Sequence, residues 1–280
     1  MGTDAIMKEF QINGHHPSIL PDGEWSLVFA DEFDGVELDR SVWDYRLSMM
    51  GKRHPAWTDR GVHLDGESNV VFTLLEENGM PVSSQLQTGY NFMDEPTVPT
   101  TFGNDALQWN IGKLKRSPFT HKYGYWECRC RLQQKEGWWS AFWIQSPIIG
   151  ASLDPAETGS EIDVMESFSP GTIAEHNVFT GGYGLDCKRL TASEKTKIDH
   201  TVWHRFGVLW DETGYTFYVD GKEDGRICEN VSKRPEFILI STESHGYRHE
   251  LHAPISVASG NAGDTFLVDY VRVFDVKNRR

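Results

Sequence analysis

Short runs of β-branched and aromatic residues recur along the chain, each closed by Gly, Asp, Asn or Pro. They include W-S-L-V-F-A (Trp25 to Ala30), V-V-F-T-L-L (Val70 to Leu75) and Y-G-Y-W-E-C-R-C-R-L (Tyr123 to Leu132). W-W-S-A-F-W-I (Trp138 to Ile144), R-F-G-V-L-W (Arg205 to Trp210) and Y-T-F-Y-V-D (Tyr215 to Asp220) continue the series. Such side chains suit a pleated, half-buried surface, so each run predicts a strand. D-E-T-G (Asp211 to Gly214) and V-D-G-K (Val219 to Lys222) read as hairpin turns, because Asp-Gly and Gly-containing pairs accept the backbone angles that tight turns need. Helical periodicity is nearly absent. Ala192 to Asp199 predicts a helical turn or two, and Phe92 to Asn110, poor in strand signals, predicts a loop over one edge of a cleft. Many short strands without alternating helices define an all-β sandwich or barrel. No repeat or linker divides the chain, so residues 1–20 are expected to be an N-terminal extension and 21–280 one β-sandwich domain.

One segment carries more charge than a strand normally tolerates. G-S-E-I-D-V-M-E-S (Gly159 to Ser167) places Glu161, Asp163 and Glu166 among Ile, Val and Met. Strict alternation puts Glu161, Asp163 and Met165 on one face and sends Glu166 to the other, into the core. An ionised carboxylate there would cost far too much. A β-bulge at Val164–Met165 inserts one residue and returns Glu166 to the face of the other two acids. Three carboxylates on one face acquire different affinities for protons, which is the requirement for paired acid and base chemistry. The bland alternative is a solvated acidic edge.

Composition sharpens this only in part. Ten Trp, nine Tyr and fifteen Phe suit either sugar stacking or a large core. A net charge of −14 argues against nucleic acid and anionic membranes as partners. The four cysteines include no C-x-x-C pair and no zinc-like spacing, so free thiols are expected.

Beyond the acidic segment, several stretches resemble glycoside hydrolase family 16, the group of laminarinases, lichenases, agarases and carrageenases. Glu161–Ile162–Asp163–Val164–Met165–Glu166 is similar to the bulged form of its E-[ILV]-D-x-(x)-E signature. L-V-F-A-D-E-F-D-G (Leu27 to Gly35) looks like its opening strand, and Y-G-Y-W-E-C-R (Tyr123 to Arg129) like its Y-G-x-x-E-x-R strand. W-H-R-F-G-V-L-W-D (Trp203 to Asp211) with Y-V-D-G (Tyr218 to Gly221), then F-L-V-D-Y-V-R-V (Phe266 to Val273), continue the likeness in the family's order. The resemblance implies a concanavalin-like jelly-roll β-sandwich with a concave substrate cleft. It further implies a retaining endo-glycosidase cutting β-1,3 or β-1,4 linkages, with Glu161 as nucleophile, Asp163 as helper and Glu166 as general acid/base. The approach D-P-A-E-T-G-S-E-I-D and the following H-N-V-F-T-G-G-Y-G depart from laminarinase patterns, which weighs against a β-1,3-glucan and leaves β-galactans and mixed-linkage glucans open. A transglycosylase of the same fold and a non-catalytic carbohydrate-binding module are the competing readings, and the presence of both Glu residues weighs against the module.

Further candidates surround this segment. Trp139 and Trp143 share one face of their strand and are expected in the cleft, with Trp138 in the core. One of His176 and Asn177 is expected in the site, since neighbours on a strand face opposite ways. Tyr183, after two glycines, and Glu243, His245 and Arg248, in S-T-E-S-H-G-Y-R-H-E, are candidate rim contacts. No cofactor is required for such chemistry. Family likeness offers one structural Ca²⁺ between the first and last strands, for which Glu32 and Asp269 are the candidate ligands. The expected partner is a polysaccharide, and the expected state is a monomer. M-G-T-D-A-I-M-K-E-F lacks the apolar stretch of a secretory signal. The expectation is a secreted or periplasmic protein whose signal lies outside this sequence, with a cytoplasmic one as the alternative.

Overall fold

The computed structural model describes residues 7–95, 115–168, 170–173, 176–192, 195–244 and 261–277, together with the backbone of 97–102 and 107–112. Two antiparallel sheets stack face to face. The inner sheet runs, in spatial order, Lys188–Thr191, Asn177–Thr180, Glu161–Ser167, Trp138–Gln145, Phe237–Ser244, Gln85–Gln87 and Asp44–Tyr45. The outer sheet runs Lys222–Ile227, Tyr215–Val219, His204–Trp210, Gly124–Arg131, Thr265–Val276, Val70–Thr73 and Val62–Leu64, with Trp25–Asp31 also paired to Thr265–Val276. The order interleaves distant parts of the chain, as in a jelly roll.

Alternation explains the layers. From Trp138–Gln145, Trp138, Phe142 and Ile144 enter the space between the sheets, while Trp139, Ala141 and Trp143 form a separate cluster on the other face with Phe237 and Leu239. The outer sheet supplies Trp126, Cys128, Cys130, Phe206, Val208, Phe217, Val268 and Val271 to the same central core. Each fully buried side chain of this size contributes about 1.5–3 kcal/mol over leaving it in water. Cys128 and Cys130 are free buried thiols, Cys187 is half-buried and Cys228 exposed.

The turns form where their residues dictate. Asp211 Oδ1 accepts from the Thr213 and Gly214 amides (2.6 and 3.2 Å), closing D-E-T-G. At V-D-G-K both central residues have positive φ, 49° at Asp220 and 75° at Gly221, the left-handed pair that joins tightly twisted strands.

Two local expectations differ from the structure. Residues 195–199 are not helical: Lys197 instead forms an isolated antiparallel bridge with Thr172, in the turn segment that follows the acidic strand. Phe92 to Asn110 is not a plain loop, because Thr97–Phe102 pairs antiparallel with Leu107–Gly112. Sheet pairing overrides weak intrinsic preference in both places. Among the described residues the one α-helix is the single turn Pro155–Thr158, capped by Asp154 and started by proline.

Near the N-terminus Lys8–Phe10 pairs with Ser18–Leu20, and this hairpin packs on the outer face of the outer sheet. Polar ties hold it there: the Ile19 amide donates to Glu127 (3.2 Å), Arg272 to Ser18 Oγ (3.0 Å) and Tyr270 to the Pro17 carbonyl (3.1 Å). No helix among the described residues is long and apolar enough to cross a membrane.

Candidate active site

The acidic strand enters through a sharp corner. Gly159 follows the helical turn with φ 80°, and a Cβ there would stand 2.3 Å from the Cβ of Ser146. Only glycine accepts both demands. The strand then pairs with Trp138–Gln145 in two registers: Trp143 faces Asp163, but Phe142 faces Met165. Val164 is the inserted residue of a β-bulge. Val164 and Met165 both enter the core, and Glu161, Asp163 and Glu166 all line one cleft of about 410 Å³ on the concave face.

The bulge leaves a backbone debt. Pairing with the next strand ends at Asp163 opposite Asn177, so the Val164 carbonyl loses its ladder partner. His176 meets it through Nδ1 at 2.8 Å. The other ring nitrogen lies 3.1 Å from Asp224, and the ring stacks on Phe217 at 4.7 Å. His176 is therefore fully buried between the sheets and is not a cleft residue, contrary to its candidacy as a substrate contact. Asn177, its neighbour, faces the other way and donates from Nδ2 to Glu166 Oε2 at 3.1 Å.

Glu161 has its own donors. Gln145 Nε2 reaches Glu161 Oε2 at 3.2 Å, and the Tyr183 hydroxyl donates to the same oxygen. Tyr183 arrives on a loop whose glycines allow close approach: a Cβ on Gly182 would come 3.0 Å from the Cα of Gly150. Burial of the phenol, then the charge of Glu161, hold the Tyr183 pKa well above its ordinary value, so it remains a donor.

Trp139 and Trp143 do face the cleft, but neither offers an open platform. Trp139 packs on Phe168 with ring centroids 4.9 Å apart. Trp143 donates Nε1–H to Ser241 Oγ (3.0 Å) and carries the Arg46 guanidinium 5.2 Å above its ring. Glu243 is not a loop-end rim residue either; it lines the cleft from inside strand Phe237–Ser244, where Gln85 donates to it at 3.0 Å. His245 and Arg248 lie outside the described residues.

Sequence reading missed the opposite wall. Arg46 and Asp94 form a buried ion pair (2.6 Å), with Arg46 also donating to Gln85 at 3.2 Å. Burial opposes the Arg46 charge, but Asp94 and its neighbours more than restore it. No local pattern announces this pair, whose members meet only through strand order. Gln145 and Ser241 were findable, since each lies two residues along one strand face from a cleft residue, Trp143 and Glu243 respectively.

The calcium candidates do not fit an ion. Arg272 grips both oxygens of Glu32 (2.7 and 2.6 Å), and Arg129 and His16 hold Asp269 at 2.6 and 3.0 Å. Each carboxylate already faces a guanidinium, and the described residues contain no cluster of three or more metal-binding side chains.

The site is thus a cleft on one face of a β-sandwich, with two glutamates and an aspartate presented by one bulged strand. Residues 54–237 match Glycosyl hydrolases family 16, and the chain belongs to that family. It is 26% identical over 275 residues to glucan endo-1,3-beta-glucosidase A1 of Niallia circulans, covering 89% of this chain and 38% of that protein. It is 32% identical over 268 residues to the endo-1,3-1,4-beta-glycanase EglC of Rhizobium meliloti, covering 89% and 51% respectively. The chain thus spans about half or less of these relatives. In fold it is similar to SCLam, a non-specific endo-beta-1,3(4)-glucanase (TM-score 0.65, 18% identity, 98% of this chain and 96% of that one). The laminarinase catalytic domain of Thermotoga petrophila RKU-1 is also similar (TM-score 0.64, 20% identity, 92% and 100%).

Proposed function

We propose that this protein is a retaining endo-β-glucanase. The observation that carries the reading is the bulge, which gathers Glu161, Asp163 and Glu166 on the floor of one open cleft. In the first step Glu161 attacks the anomeric carbon while Glu166 gives its proton to the departing glycosidic oxygen. In the second, Glu166 takes a proton from water, which displaces Glu161 and returns the β configuration. Gln145 and Tyr183 orient the nucleophile by donating to one oxygen. Asp163, between the two glutamates in sequence and on the same face, makes simultaneous ionisation of all three unfavourable and so favours a proton on Glu166.

An uncharged β-1,3- or mixed β-1,3-1,4-glucan is the substrate that the cleft supports best. Its described lining holds the carboxylates Asp94, Glu161, Asp163, Glu166 and Glu243 against the cation Arg46, which Asp94 already neutralises. A sulfated or uronate-bearing chain would meet uncompensated negative charge. The names of glucan endo-1,3-beta-glucosidase A1 and of EglC point to the same glucans. Such polymers lie outside cells, which favours a secreted or periplasmic site of action.

Products from laminarin, lichenan, agarose and porphyran test the reading. Laminarin or lichenan should yield oligosaccharides whose new reducing ends are β in the earliest NMR spectra, and α-anomer first would reject the mechanism. Glu161→Gln and Glu166→Gln should each lower kcat at least about 10³-fold with the fold intact. Asp163→Asn should be impaired less.

A further inference from the structure

The hydrogen bond to Glu166 is more constrained than a single contact suggests. At its other end, the Asn177 amide meets Arg189 Nε and Thr191 Oγ1, each at 2.9 Å. A guanidinium has donors and no acceptor, so the atom it meets must be Oδ1. The amide cannot turn over, and Nδ2 must face Glu166 Oε2. The lock is built on the sheet edge: Asn177 pairs directly with Thr191 in the ladder, and Arg189 lies two residues before it on the same strand face. Asn177 itself is buried, whereas Arg189 is exposed with its guanidinium 5.9 Å from the Phe179 ring centre.

We propose that Asn177, locked in this orientation by Arg189 and Thr191, is the positioning residue for the acid/base: it keeps Oε2 of Glu166 as an acceptor and directs the transferable proton to Oε1. This rests on reading Glu166 as the acid/base. A retaining enzyme uses Glu166 first protonated and then ionised, so neither form can be too stable. Acids crowd the site: Glu161 and Asp163 stand on its own strand, Glu243 on Phe237–Ser244 and Asp94 across the cleft. Their charge favours the protonated form. Arg46 faces the cleft already paired to Asp94, and Tyr183 and Cys187, both on the loop after Asn177–Thr180, are the remaining titratable groups of the described lining. Against this excess, a fixed donor polarised by Arg189 favours the carboxylate and restores the balance.

The test is the pH profile of kcat/KM on a soluble β-glucan, whose alkaline limb reports loss of the Glu166 proton. Asn177→Leu removes the donor at similar volume, and the alkaline limb should rise by about one pH unit. Arg189→Met, on an exposed edge, should raise it by about half as much, and should add nothing in the Asn177→Leu background. A purely structural role would lower the melting temperature and leave the limb where it is. An unmoved limb in a folded Asn177→Leu, or in Arg189→Met if the first variant does not fold, overturns the proposal. So does an Arg189→Met shift of equal size with and without Asn177, which would mean that Arg189 acts directly by its charge. Glu166→Gln separates the two levels. Undiminished turnover in that variant defeats the acid/base assignment itself, whereas its inactivity beside unmoved limbs defeats only the role of Asn177.

Discussion

Tyr183 reaches Glu161 from a loop and not from the sheet, which makes it the most separable contact in the cleft. A donor to a carboxylate favours its charged form, and the nucleophile must be charged to attack. Tyr183→Phe should therefore raise the Glu161 pKa and move the acidic limb of kcat/KM to higher pH by up to about one unit. Turnover at the optimum should fall about tenfold, since Gln145 still orients the carboxylate. An acidic limb that stayed in place would mean that the phenol serves substrate and not nucleophile. The two glutamates are thus served by different devices, Glu166 by an amide locked in the sheet and Glu161 by a loop-borne phenol with a strand glutamine.

The bulged strand is the element on which the chemistry depends, and His176 completes it. Its ring fills the gap that the bulge opens by bonding the Val164 carbonyl inside the core. His176→Leu keeps an apolar side chain against Phe217 but leaves that carbonyl without the ring nitrogen, at a cost of about 1–3 kcal/mol. The melting temperature should fall by several degrees, at about 2–4 °C per kcal/mol for a domain of roughly this size. Because the bulge holds three carboxylates in place, kcat should fall more than KM changes. Calorimetry and steady-state kinetics on the one variant check both, and unchanged stability would show that the bulge holds without the ring.

Across the molecule, Glu236 ties the start of the acidic strand to the entry of Phe237–Ser244, the strand beyond Trp138–Gln145. It accepts from the Ser160 amide and hydroxyl (2.8 and 3.1 Å), and its backbone pairs with His121. Burial pushes its pKa up to about 8, with the Ser232 and Ser160 hydrogen bonds pulling down and the Glu161 charge adding a smaller push upward. Between its ordinary value and about 8 the folded protein binds one proton more than the unfolded chain at this position. Stability from this group is full at low pH, falls by up to about 1.4 kcal/mol per unit as pH rises, and is lost above about 8. Glu236→Gln carries no charge, so its melting temperature should fall less than that of the native protein between pH 5 and pH 8. Equal slopes in calorimetry would refute this. The same long-range character marks what the chain alone could not reveal. Strand runs, the two hairpin turns and the bulge at Val164 were legible because they follow from alternation with a period of two and from the cost of burying an ionised carboxylate, both properties of adjacent residues. The choice of Asn177 over His176 was not, because adjacent strand residues take opposite faces and only the pairing register says which face is the cleft. Arg46 with Asp94, and Gln85 with Glu243, were invisible for a related reason: the inner sheet sets Phe237–Ser244 between Trp138–Gln145 and Gln85–Gln87. That neighbour order is decided by burying one core between two sheets, and no local pattern along the chain encodes it.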